Sequence, residues 1–194
     1  MSTPIITEKE SIRKKTAMPM LVLGIGSMVM LFAGLTSAIV VRHAEGNWLQ
    51  FDMPISFYIS TAVILLSSLT MNNAVSFTKK GNTKKATVFI IATFIFGISF
   101  ACWQISGWSN LNSQNIYFTG RTANAAGSFF FMLTWLHLMH MVGGLISLLV
   151  SAYNSSKNKY SPQNYLGLKL TAVFWHFLGV LWVYLFLFLN YMNG

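Results

Sequence analysis

The chain has 194 residues, 54% of them hydrophobic and 9% charged, with a net charge of +9 and a mean hydropathy of +0.56. A soluble domain carries about a quarter charged residues, so this composition excludes a surface wetted on all sides. The single cysteine, Cys102, excludes a disulfide and a cysteine-based metal centre.

Five apolar runs are long enough to cross roughly 30 Å of hydrocarbon. In chain order they are Met20–Val41, Pro54–Phe77, Ala86–Ser106, Ala125–Ala152 and Leu170–Asn190. They predict an all-α integral membrane bundle: a basic tail over residues 1–19, then one five-helix membrane domain over 20–194. The polar lead to Met18 and the full spanning length of the first run argue against a cleavable signal. The predicted loops at Arg42–Met53 and Gly107–Asn124 share one side. Trp48, Trp108, Tyr117, Tyr165 and Tyr191 read as interface anchors. Asn72 and Asn73 read as caps at the end of the second span.

The basic residues follow the loops rather than a nucleic-acid footprint. Lys9, Arg13, Lys14 and Lys15 precede the first span; Lys79, Lys80, Lys84 and Lys85 fill the second turn; Lys157, Lys159 and Lys169 lie before the fifth span. Only Arg42 and Arg121 fall on the other side, which by the positive-inside rule places the N-terminus in the cytoplasm and the C-terminus outside. The basic side is also suited to contact with anionic lipid.

The four acids, Glu8, Glu10, Glu45 and Asp52, all lie outside the predicted spans, as do every Lys and Arg. A pump or ion-coupled transporter acting alone needs ionisable groups at depth, and hydrolytic metal chemistry needs carboxylates. What remains at depth is histidine: His137 and His140 on the fourth span, His176 on the fifth. Thr134, His137, Met141, Gly144, Ser147 and Ser151 predict a small-and-polar seam on one helix face, with Gly143-Gly144 as a close-packing site. His176, Gly179 and Val183 predict a second line, flanked by Trp175 and Trp182. Two readings stand. His137 or His140 pairs with His176 to hold a b-type haem, making the chain a membrane electron carrier, or the imidazoles are hydrogen-bonded packing groups.

Several stretches together resemble subunit III of the haem–copper terminal oxidases, in its short five-helix bacterial form. They are "VMLFAGLTSAIVVR" (Val29–Arg42), "ILLSSLTM" (Ile64–Met71), "WQISGW" (Trp103–Trp108), "FFFMLTWLHLMHMVGG" (Phe129–Gly144) and "VFWHFLGVLWVYLF" (Val173–Phe186). The resemblance covers everything from the first span to the C-terminus. Three carboxylates of the family pattern are replaced here, by Met28, Gly107 and Gly179, which argues against a direct proton-antenna role.

The resemblance implies a non-catalytic accessory subunit of an oxygen-reducing, proton-pumping oxidase in a bacterial inner membrane. It implies no catalytic, cofactor or metal site in this chain, with haem and copper held by the catalytic subunit I, and subunit II as a further partner. Bound phospholipid is expected on the aromatic and histidine faces of spans one, four and five. The residues implied in lipid or partner packing are Arg42, Trp103, Thr134, His137, His140, Gly144, Trp175, His176, Gly179 and Trp182. An accessory subunit of a nitric-oxide reductase system shares the same helix signatures and is the near alternative.

Overall fold

The computed structural model describes residues 4–46, 53–114, 116, 118 and 125–193, with side chains from Lys15 to Met192. Of the positions singled out above, Trp48, Asp52, Tyr117 and Arg121 lie outside the described residues. The described residues form five long helices and the segments that join them: α1 (Pro4–Ala44), α2 (Ile55–Lys79), α3 (Thr83–Ser113), α4 (Ala125–Ser156) and α5 (Leu166–Asn193). Each holds a segment long and apolar enough to span a membrane. In hydrocarbon every backbone polar group needs an internal partner, and a helix supplies one for nearly all of them.

The helices overrun the apolar runs, and this corrects several sequence expectations. α1 is helical from Pro4, so Glu8 and Glu10 lie within a helix, ahead of its apolar part at Lys15–Ala44. Pro19 is accommodated inside α1; lacking an N–H, it gives nothing to the helix ladder. α3 continues to Ser113 and takes in Gly107 and Trp108, which the sequence placed in a loop. Asn72 and Asn73 do not cap α2, which runs on to Lys79. Hydropathy marks where lipid contact ends, whereas hydrogen bonding carries a helix beyond that level.

Two short turns at one end explain the antiparallel neighbours. After α2, Gly81 adopts φ +77°. The Asn82 N–H donates to Phe77 O and the Gly81 N–H to Thr78 O, both at 3.0 Å, the paired bonds of a left-handed helix terminus. The Asn82 side chain then caps α3 by accepting from the Lys85 N–H at 3.2 Å. After α4 the same motif recurs on Asn158, at φ 52°, with Lys159 N–H to Asn154 O and Asn158 N–H to Ser155 O, both at 3.0 Å. Asn tolerates this backbone region better than other non-glycine residues.

Helices α2, α3, α4 and α5 form a closed ring, each packed on its two neighbours; α1 lies outside the ring, against α4 and α5 alone among the described helices. The ring core contains Phe57, Ile64, Met71, Ile90, Phe100, Leu133, Met141, Leu148, Trp175, Leu178 and Trp182. Close approach depends on three glycines. A Cβ at Gly97 would lie 2.6 Å from Trp175, at Gly107 2.6 Å from Phe57, and at Gly144 2.8 Å from Leu178.

Candidate functional site

The buried face of α2 reads Ser56, Phe57, Ser60, Ile64, Ser67, Met71, Ala74, Thr78. Steps of three and four residues put these on one helix stripe, and its hydroxyls meet partners from the other helices. Trp175 Nε1 donates to Ser67 Oγ at 3.0 Å, and Trp182 Nε1 donates to the neighbouring Thr61 Oγ1 at 3.0 Å. Gln104 Nε2 donates to Ser60 Oγ at 3.0 Å. The hydroxyls of Thr70 and Thr93 lie 2.8 Å apart. A hydroxyl that also bonds its own helix backbone, as Ser67 Oγ does to Ile64 O, can still accept an indole N–H. Two large rings are thereby held at depth with their polar atoms satisfied.

The α4 stripe holds as expected at Thr134, His137, Met141, Gly144 and Ser151, all buried, while Ser147 is half-buried. Thr134 Oγ1 accepts from Trp108 Nε1 at 3.0 Å, so Trp108 serves a helix–helix bond in addition to any interfacial role. Ser151 and Thr171 hydroxyls pair at 2.9 Å across α4 and α5. Of the two adjacent glycines only Gly144 is a close contact; a Cβ at Gly143 would meet nothing within 4 Å.

The three membrane histidines go to three different places. His137 is fully buried. Its ring centroid lies 5.3 Å from that of Trp182, 6.0 Å from Phe100 and 6.5 Å from Phe32. Among the described residues neither of its ring nitrogens has a hydrogen-bond partner; its surroundings are aromatic rings, where N–H···π contacts are weak. His140 is half-buried towards α1, 5.7 Å from the Phe32 ring. Its Nδ1 lies 2.8 Å from Leu136 O; a carbonyl only accepts, so Nδ1 carries the proton. His176 reaches α2, where Nδ1 bonds Ser68 Oγ at 2.5 Å.

His137 is level with Trp182, and His176 comes six residues earlier on α5, about 9 Å along the axis. His140 turns to Phe32 of α1 and His176 to Ser68 of α2, so neither fourth-span histidine faces His176 and the electron-carrier alternative loses its geometric basis. Among the described residues no three His, Cys, Asp or Glu side chains cluster as a metal site.

The remaining expected residues divide. Trp175 and Trp182 are fully buried and define the inner face of α5, so the line of His176, Gly179 and Val183 is the flank of that face rather than its centre. Gly179 is buried 3.7 Å (from a built Cβ) from Ile64. Trp103 is half-buried. Arg42 is engaged locally, with Nη1 3.0 Å from Glu45 Oε2 and 3.5 Å from Gly46 O. At the positions of the replaced carboxylates, Gly107 has no room for a side chain without displacing Phe57, whereas Gly179 meets only ordinary contact. Met28 is half-buried.

Sequence reasoning missed Gln104, Gly97 and the serine-threonine stripe of α2 as packing determinants. The three-and-four spacing of Ser56, Ser60 and Ser67 was the signal that could have found the last.

Comparison with known proteins agrees with this architecture. The family model described as "Cytochrome c oxidase subunit III" matches residues 47–194. The chain is 28% identical over 167 residues to a "Probable cytochrome c oxidase subunit 3" of Mycobacterium bovis, covering 84% of this chain and 81% of that protein. It is 29% identical over 154 residues to a "Cytochrome bo(3) ubiquinol oxidase subunit 3" of Pseudomonas aeruginosa, covering 78% and 72%. A protein of the same description from Buchnera aphidicola is 32% identical over 139 residues, covering 72% and 66%. These oxidase names lend no support to the nitric-oxide-reductase alternative. With five membrane helices, a ring sealed by indole and hydroxyl pairs and a family match over most of its length, the chain belongs to the cytochrome c oxidase subunit III family of the haem–copper oxidases.

Proposed function

We propose that this accessory subunit packs beside the catalytic haem–copper subunit, with subunit II in the same complex, in a bacterial inner membrane. There it retains phospholipid and sustains proton uptake indirectly. The observation that carries the reading is the contrast between a close-packed interior and an exposed exterior. The ring pairs indoles and hydroxyls across its helices, while the apolar part of α1 is almost wholly exposed. A groove of about 410 Å³ between α1 and α5, walled by Val29, Phe32, Ala33, Phe177, Val180 and Tyr184, supports lipid on that side.

Phe32 packs beside both His137 and His140, which makes the fourth-span histidines part of the surface on which α1 rests. Thr134, Gly144, Trp175, His176, Gly179 and Trp182 then act by shaping that scaffold, and Arg42 and Trp103 by meeting lipid or partner at its edge. Deleting the subunit should leave the initial rate of oxygen reduction intact and hasten its decay over successive turnovers. Complete loss of the initial rate, with the haem and copper content unchanged, would refute a supporting role. For orientation, a reporter fused after Gly194 should be active outside and one inserted at Gly81 inside; the reverse would invert the topology.

A further inference from the structure

Where the α2–α3 and α4–α5 turns meet, two contacts clip the start of α3 to the end of α4. Thr83 Oγ1 donates to Asn158 Oδ1 at 3.0 Å, and the hydroxyls of Thr87 and Ser155 lie 2.7 Å apart. Outside this clip runs a groove of about 720 Å³. Ile91 and Phe94 of α3 wall one side, and Leu149, Val150 and Tyr153 of α4 the other. Thr87 and Ser156 stand at the turn end. Seven residues of helix, about 10 Å, thus lead from a polar mouth into apolar walls.

The mouth is positively charged. Lys84 is exposed and lies three residues before Thr87 and seven before Ile91, so it continues the α3 wall towards the turn. Lys157 and Lys159 are exposed on the α4 side, with Nζ atoms 5.8 and 5.9 Å from the centroid of the Tyr153 ring that walls the groove. Their neighbours Lys80 and Lys85 are instead drawn to Phe77 on α2, at 6.0 and 5.6 Å. The chain contains no acid after Asp52, and within α2–α5 no carboxylate side chain offsets these cations. The N-terminus of α3 and the C-terminus of α4 lie side by side with opposed dipoles, which leaves the lysine charges to set the local field.

We propose that this α3–α4 groove binds an anionic phospholipid, its phosphate held by Lys84, Lys157 and Lys159 and one acyl chain laid between Ile91, Phe94, Leu149 and Val150. The site is lined by α3 and α4 and shares no residue with the α1–α5 groove. It rests on the lipid-retention reading above only in extending it to a second, charge-selective position. Three lysines close to a phosphate strengthen association on the order of a hundredfold.

The assembled oxidase, reconstituted in phosphatidylcholine nanodiscs doped with phosphatidylglycerol, provides the test, with native mass spectrometry counting the lipids that stay bound. The wild-type complex should retain phosphatidylglycerol in preference to phosphatidylcholine. The variant Lys84→Ala/Lys157→Ala/Lys159→Ala should lose that preference, and the charge-matched variant Lys79→Ala/Lys80→Ala/Lys169→Ala should keep it. Ala152 of α4 also lines the groove; Ala152→Trp, which fills it and leaves the charges alone, should also lose the bound lipid, and it carries the test if the triple variant fails to assemble. Equal retention of the two lipids, unchanged retention in the groove variants, or equal loss in the charge-matched control would overturn the site. Turnover protection that survives loss of this lipid would leave the accessory role standing, and bound phosphatidylglycerol without turnover protection would leave the site standing.

Discussion

Helices α1 and α5 carry almost equally apolar spanning stretches, yet 6% of that stretch is buried in α1 and 50% in α5. In lipid, apolarity alone draws no helix to another, because the tails are as apolar as leucine; packing and interhelical hydrogen bonds do. α5 brings Trp175 and Trp182, each with an indole N–H received by α2. α1 rests on α5 and α4 through Phe32 and Ile39, and Tyr184 Oη donates to Thr36 Oγ1 at 3.2 Å. Its glycines Gly24, Gly26 and Gly34 would each meet nothing if given a Cβ. The ring is therefore specified from within, and α1 is left with a long face that something outside the chain must cover.

Glycine substitutions should give the largest separation between the two regions. Gly97→Val and Gly144→Val each force a side chain into Trp175, Leu145 or Leu178 and should destabilise the subunit by about 1–3 kcal/mol. Gly34→Ala should fall within about 0.5 kcal/mol of wild type. Denaturant titration of the purified chain in mixed micelles measures both; equal costs would erase the distinction between ring and α1.

The indole bonds come next. Removing the Trp175 N–H acceptor with Ser67→Ala, or the Trp182 acceptor with Thr61→Val, should cost about 0.6–1.7 kcal/mol. A double-mutant cycle with Trp175→Phe isolates the Ser67 pair. A coupling energy near zero would mean that ring shape alone, without the N–H, holds α5 to α2.

His137 offers a smaller effect with an unusual sign. Its nitrogens have no partner among the described residues, so His137→Phe removes polar groups that gain little from their surroundings. Stability should be unchanged or higher by up to about 1 kcal/mol. A loss beyond about 2 kcal/mol in the same titration would reveal a hydrogen-bond partner for the imidazole.

The smallest effect belongs to the α1 tether. Thr36→Val should cost about 0.5 kcal/mol and leave the ring intact. Backbone hydrogen exchange should rise in α1 and stay level in α2–α5. A rise spread across all five helices would show that α1 is integral to the ring.

Much of this was legible in the residues. The five spans, the all-α class and the α4 seam through Thr134, His137, Met141 and Gly144 follow from apolar length and three-and-four spacing, which are local properties of a helix. The resemblance carried by those same stretches led to the family that the comparisons then established. Helix ends were less legible: Gly107 and Trp108 look like loop residues by composition, yet their side of α3 packs on Phe57 and Thr134 and keeps the helix going.

Which histidine faces which neighbour was decided by tertiary structure alone. His137 and His140 share a helix face by spacing, but a rotation of one helix by a few tens of degrees sends one into an aromatic box and the other to α1. His176 pairs with Ser68, 108 residues away, a contact that no local pattern encodes. Length and polarity along the chain determined that there would be five membrane helices. The close approaches at Gly97, Gly107 and Gly144 decided how they meet, because in lipid the contact surfaces themselves, rather than exclusion from water, choose the partners.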